Sequence, residues 1–307
     1  ASRLGDTGSL QQAASVAHQA LKAADADPAN AAYVRGVCAS VLRESFEAFG
    51  KADDIDAAIG ALRVGLKSVT PEDDSYYRLQ INLGNALWSR FERTGVLQDA
   101  DASIDALRAG IEKTSDGSHA QALAFLNLGN ALRARFERTR NLSDILESTE
   151  LLRKSVEIFE ARRAEISSHY AEHLAWSNLA ITFKVRFDLV GDTDVLEPGI
   201  EATGRALALA EEGSPSEAAN QINLASWLLE RYRLSGDRRD LGVASRAALD
   251  SIAGTPADTM AEALHLHIAA MVFEETSKVD GGGWALEHAV DLYRTAAHLP
   301  VAPPLLL

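Results

Sequence analysis

Asn82-Leu83-Gly84-Asn85-Ala86-Leu87 returns unchanged at Asn127-Leu128-Gly129-Asn130-Ala131-Leu132, and Arg90-Phe91-Glu92-Arg93-Thr94 returns as Arg135-Phe136-Glu137-Arg138-Thr139. The offset is 127 − 82 = 45 residues. Weaker copies begin at Asn178-Leu179-Ala180 and Asn223-Leu224-Ala225. A chain that repeats one unit at fixed spacing stacks that unit, because each copy must bury the face its neighbour leaves open. Three ladders share the register. The motif aromatic falls at Phe46, Phe91, Phe136, Phe187 and Tyr232. A small residue falls at Ala39, Gly84, Gly129, Ala180 and Ala225. A second small residue falls at Ala20, Gly65, Gly110, Ser155, Ala206 and Ser251. All three carry the same six-residue insertion, placed between Ser155 and Asn178.

Each unit reads as two helices. Tyr77, Ile81, Gly84, Trp88 and Phe91 recur at steps of three and four, the period of one helical face. Gly95 stops that helix, and Asp99 or a neighbour can cap the next. Thr70-Pro71, Ser115-Asp116-Gly117, Ser214-Pro215 and Thr255-Pro256 break the units apart. No stretch sustains the period-two alternation of a strand. The fold class is therefore all-α: a right-handed α-solenoid of about six antiparallel helical hairpins with a repeat of about 45 residues. Residues 1–299 form one repeat domain with a partial first repeat at 4–30, since Gly5 lies 45 before Gly50. Residues 300–307 are a tail or linker. Opening mid-unit and ending in Pro303-Pro304-Leu305-Leu306-Leu307 suggest a piece of a longer protein, or one whose end helices pack on something absent.

Charge and cysteine content narrow the function. Against 30 Lys and Arg stand 44 Asp and Glu, a net charge of −14. That disfavours nucleic acid, whose binding depends on neutralising phosphates. Cys38 is the single cysteine. No internal disulfide is possible, which fits a reducing, cytoplasmic setting. No apolar run reaches the length of a membrane span, so no membrane partner is expected.

The motif Asn-Leu-Gly-Asn-Ala-Leu at 82–87 and 127–132 resembles the first-helix signature of tetratricopeptide (TPR) repeats. The unit exceeds the usual 34-residue TPR by 11 residues. With Arg-Phe-Glu-Arg-Thr-Gly following at 90–95, it resembles the long-repeat arrays found upstream of CHAT domains, which are caspase-like peptidases. The segment Ala296–Pro303 is similar to the connection out of such an array. The resemblance implies a recognition module: a concave groove, lined by first helices, that holds a peptide or partner helix. Its partner is a protein or peptide, with an attached or associated caspase-like protease domain as effector. It implies no enzyme activity, cofactor or metal in this chain.

In the TPR family, positions six and three before the small residue, and one, four and five after it, face the groove. That maps to Arg78, Ile81, Asn85 and Trp88, then Leu126, Asn130 and Arg133. It continues with Ser177, Ile181 and Lys184, then Ile222, Ser226 and Leu229. Asn85 and Asn130 match the asparagine that clamps a peptide carboxylate in some TPR domains. The alternatives are a self-assembling scaffold and an enzyme with its site in the groove.

Other candidate chemistry has plainer explanations. Cys38 reads as a buried thiol, and His169 with His173 as a helix start lacking a third metal ligand. Gly281-Gly282-Gly283 reads as a turn without the Lys of a phosphate loop. Arg90, Arg135, Arg186 and Arg231 read as ion-pair partners of Asp54, Asp99, Asp144 and Asp240, which recur with similar spacing.

Overall fold

The computed structural model describes residues 7–26, 30–165, 169–281 and 283–299. Among these every regular element is helical. They are α1 (Thr7–Ala23), α2 (Ala31–Phe49), α3 (Ala52–Lys67), α4 (Asp74–Thr94), α5 (Leu97–Ile111), α6 (His119–Thr139) and α7 (Leu142–Ala161). There follow α8 (Tyr170–Val190), α9 (Leu196–Leu209), α10 (Pro215–Ser235), α11 (Arg238–Gly254), α12 (Met260–Asp280) and α13 (Gly283–His298). The all-α expectation holds. The insertion lengthens α7, which has 20 residues against 15 in α5. Parts of the 4–30 repeat and the whole 300–307 tail lie outside the described residues. Cα packing divides the chain into two compact units, at Phe159 and Glu160.

The first unit pairs α2 with α3 and α4 with α5, and ends with α6 and α7. The helices stop where the ladder predicts. Gly50, Gly95 and Arg140, at 45-residue spacing, take left-handed backbone angles, and their N–H groups close on the carbonyls of Phe46, Phe91 and Phe136 at 2.7 Å. The three phenylalanines are buried alike. Leu42, Ile55, Ile59, Leu62, Leu83 and Leu87 fill one core cluster, and Ile104, Leu107, Leu128, Leu132 and Leu151 another.

The small ladder has a mechanical cause. At Gly84 a Cβ would sit 2.5 Å from Leu107 Cγ and 3.1 Å from the Ser103 carbonyl oxygen, and Ser103 Oγ donates to the Gly84 carbonyl at 2.7 Å. The next unit repeats this: Leu152 covers Gly129, and Ser148 Oγ donates to its carbonyl at 2.7 Å. Only a residue without a side chain lets the second helix of the hairpin approach this closely.

The arginine ladder is an ion-pair frame. Arg90 makes two bonds to Asp99 at 2.8 and 2.6 Å and reaches Asp56 at 2.8 Å. Arg135 does the same with Asp144, at 2.7 and 2.8 Å, and with Asp101 at 2.7 Å. In the second unit Arg231 holds Asp240 and Glu197. Two of the expected pairings differ. Ser45 occupies the arginine position before Asp54, which instead takes hydrogen bonds from Ser45 at 2.7 Å and His18 at 2.8 Å. Arg186 pairs with Asp192, because the chain leaves α8 through a different turn before α9.

The second unit pairs α8 with α9, α10 with α11 and α12 with α13. Ile222, Ala225, Leu228, Leu241, Ala248 and Val272 lie in its main cluster. Ser214 and Thr259 cap α10 and α12 by accepting from Glu217 and Glu262 N–H groups. Those glutamates reach back to the Gly213 and Asp258 N–H groups, a reciprocal arrangement that satisfies helix-start donors.

The second unit also buries histidines. His173 Nε2 meets Asn220 Nδ2 at 3.1 Å, and His265 Nδ1 lies 2.7 Å from both Ser251 Oγ and Thr255 Oγ1. Burial pushes His173, His265 and His267 below the ordinary histidine value; for His265 the Ser251 contact works against this. In the unfolded chain they titrate near ~6.5. Below that value the unfolded state binds more protons than the folded one, so stability falls as pH falls, and it is complete above it. The urea midpoint of the second unit should therefore drop between pH 7.5 and pH 5, and the drop should shrink in His265→Gln.

Candidate binding face

The first helices of the hairpins carry every residue of the expected groove, and the structure sorts them by column. In the column three before the small residue Leu126 and Ile222 are closed, while Ile81 and Ser177 stay half-buried. Leu126 and Ile222 are 4% and 2% exposed. Ile81 packs against α5, where its Cγ1 would lie 2.8 Å from a Cβ on Gly110. Ser177 Oγ donates to Asn220 Oδ1 at 3.3 Å. These residues sit one helical turn before the small residue, on the same stripe. The close approach of the second helix draws them inward. Leu229 is likewise corrected to core, at 1% exposed.

The column one after the small residue stays partly open, with Asn85, Asn130, Ile181 and Ser226 half-buried. So do Trp88, Arg133 and Lys184 four after it. Lys184 is engaged internally. It pairs with Asp188, and its ammonium lies 5.6 Å from the rings of Phe187 and Trp227. Arg78 is exposed, and its Nε donates to Tyr77 OH at 3.0 Å.

In the first unit the open positions concentrate on α4 and α6. Trp88 packs against the clusters that contain Ala131 and Ala134 of α6. Arg133 Nη1 donates to Glu137 at 2.6 Å. Three buried side-chain atoms here have no hydrogen-bond partner: Trp88 Nε1, Asn130 Oδ1 and Arg133 Nε. Between α2 and α4 lies a shallow cavity of about 120 Å³. It is lined by Tyr33, Gly36, Val37, Ser40, Arg78 and Leu79, with Tyr33 64% exposed. Tyr33, Gly36 and Ser40 are groove positions of the α2 hairpin, one unit before those picked out in the sequence; the signal that finds them is the same ladder extended back to Ala39.

Burial pushes the Cys38 thiol up, which opposes thiolate formation. His173 is buried against Asn220, while His169 lies at the helix start near Glu172. Among the described residues no three His, Cys, Asp or Glu side chains cluster as metal ligands would, and no helix is long and apolar enough to cross a membrane.

The helical hairpins define the class: a TPR-like repeat fold. Among solved structures, BtubC (BKLC) from P. vanneervenii superposes with a TM-score of 0.55 at 17% identity, covering 78% of this chain and 90% of its own. A Podosopora anserina protein described as a kinesin light chain with nearly identical TPR-like repeats gives 0.50 at 15%, covering 74% and 99%. Nro1, a hypoxic regulator of sterol synthesis described as a nuclear import adaptor, gives 0.51 at 14%, covering 96% of both chains. No protein-family profile and no curated protein matches the sequence.

Proposed function

We propose that this chain is a non-catalytic protein-recognition module that holds an extended peptide across the first helices of its first unit. The observation that carries the reading is the unpartnered set on α4 and α6: two donors, Trp88 Nε1 and Arg133 Nε, and one acceptor, Asn130 Oδ1. Buried polar atoms without partners are rare and ask for a reason. A peptide main chain offers the complementary groups, a carbonyl that accepts and an N–H that donates, once these half-buried side chains turn outward to meet it. Side chains of the same peptide could enter the cavity beside Tyr33. Arg78 and Asn85 border this track and are proposed as contacts; Ile181, Lys184 and Ser226 are the corresponding contacts in the second unit. The adaptor description of Nro1 and the repeat architecture of the other neighbours support a binding role. The Arg-Phe-Glu-Arg-Thr-Gly run at 90–95 supports a setting beside a caspase-like effector, and the buried free thiol a cytoplasmic one.

A random 12-residue phage-displayed library, selected on the full chain, tests this. Enriched peptides are expected. Asn130→Ala with Arg133→Ala should weaken them about ten-fold or more. Its urea midpoint should change little, because Arg133 and Glu137 form an i,i+4 helix pair, typically worth about 0.2–0.5 kcal/mol, and the buried atoms removed have no partner to lose. Peptides that bind the double variant unchanged would overturn the placement.

A further inference from the structure

Eight residues after each small residue runs a further ladder: Glu47, Glu92, Glu137, Asp188, Arg233 and Lys278, at steps of 45, 45, 51, 45 and 45. Five of the six are ion-paired. Glu47 pairs with Arg43 and accepts from Ser89 Oγ at 2.6 Å. Glu137 pairs with Arg133 and Asp188 with Lys184. Arg233 pairs with Glu230 at 2.9 Å, and Lys278 with Glu274 at 3.0 Å. Glu92 alone has no hydrogen bond or ion pair among the described residues.

The sequence explains the gap. Trp88 stands four before Glu92, where Arg43 and Arg133 serve the neighbouring rungs. Ala134 stands where Ser89 serves Glu47. Both expected partners of Glu92 have thus been replaced, one by an indole and one by a methyl group. The rungs of the first unit hold three carboxylates, Glu47, Glu92 and Glu137, against two guanidinium groups, Arg43 and Arg133, each already bonded. One negative charge is left over. Glu92 is solvent-exposed, yet its carboxyl is pushed up, first by burial and then by Glu137 and Glu47, with Arg133 acting the other way. Trp88 shares its helix face at a spacing of four.

We infer that Glu92 and Trp88 form a socket for one lysine or arginine side chain of the bound peptide. The carboxylate takes the cation in a charge-assisted hydrogen bond, and the indole packs against it and its aliphatic stem. This rests on the peptide-groove reading above and names the chemistry that groove selects.

The same phage library decides it. Selected peptides should share a Lys or Arg at one position. Against Glu92→Gln, a synthetic peptide of that sequence should bind roughly five- to ten-fold more weakly and with a flatter salt dependence. Replacing its cation by norleucine should cost the same, and the two changes together no more than either. In the free chain Glu92→Gln should raise the urea midpoint, since it removes repulsion and breaks no bond. Peptides that bind through Asn130 and Arg133 but share no cation, or that ignore Glu92→Gln, would overturn the socket and leave the groove standing. A library yielding no binder removes both. A lowered urea midpoint would mean that Glu92 is paired within the chain, and would overturn the socket alone.

Discussion

Arg135→Ala is expected to destabilise the first unit by about 3–5 kcal/mol, the usual cost of stripping the partner from a buried ion pair. Asp144 is 2% exposed and takes both Arg135 bonds on its two oxygens. Without the guanidinium it is a buried carboxylate at the start of α7 with only a long Asn141 contact, at 3.3 Å, left to it. Arg135 also ties this hairpin to the preceding one through Asp101, whose side chain is 60% exposed. Asp101→Asn should therefore cost under about 1 kcal/mol. Arg135→Ala combined with Asp144→Asn should recover part of the loss, because the orphaned charge is gone. Urea unfolding followed by circular dichroism checks this. A loss below about 1 kcal/mol for Arg135→Ala would show the frame to be decorative.

The second large effect is at the small ladder, where a single methyl group should have opposite signs at two glycines. An alanine inside a helix is favoured over glycine by about 1 kcal/mol. Gly60 on α3 has nothing within 4 Å of an added Cβ, so Gly60→Ala should gain about that much. At Gly84 the same methyl would meet Leu107 at 2.5 Å and the Ser103 backbone at 3.1 Å. It would prise α4 from α5 and strain the Ser103–Gly84 bond. Overpacking of this kind costs about 1–3 kcal/mol, enough to outweigh the helix gain. Gly129→Leu, pushed into Leu152, should be worse. Melting curves of the three variants separate the cases; a Gly84→Ala variant as stable as Gly60→Ala would refute the close-contact account.

The hairpins, their ends and the arginine frame were legible in the sequence because one period governs them all. Phe46, Phe91 and Phe136 mark the last turn of successive first helices, and the residue four later turns left-handed each time. What the period does not encode is which side of a half-buried stripe stays open. Leu126 and Ile222, both buried, share a register with Ile81 and Ser177, both half-buried. Which of them closes depends on how near the second helix comes, a fact of packing depth rather than of spacing. The first rungs of the ion-pair frame also hid themselves. Ser45 stands where an arginine recurs elsewhere, so the His18–Asp54 contact across 36 residues had no local signal. The Glu92 gap was readable in principle. Trp88 among arginines and Ala134 opposite Ser89 are departures at fixed register, but their meaning depends on knowing that the neighbouring rungs are bonded.

The central claim is that the face of α4 and α6 holds the partner. A selected 12-residue peptide carrying a benzophenone, irradiated in complex with the full chain and mapped by mass spectrometry, tests it directly. The account predicts adducts within residues 78–92 and 123–137. Adducts confined to the second helices α3, α5 and α7, or to the second unit, would contradict it.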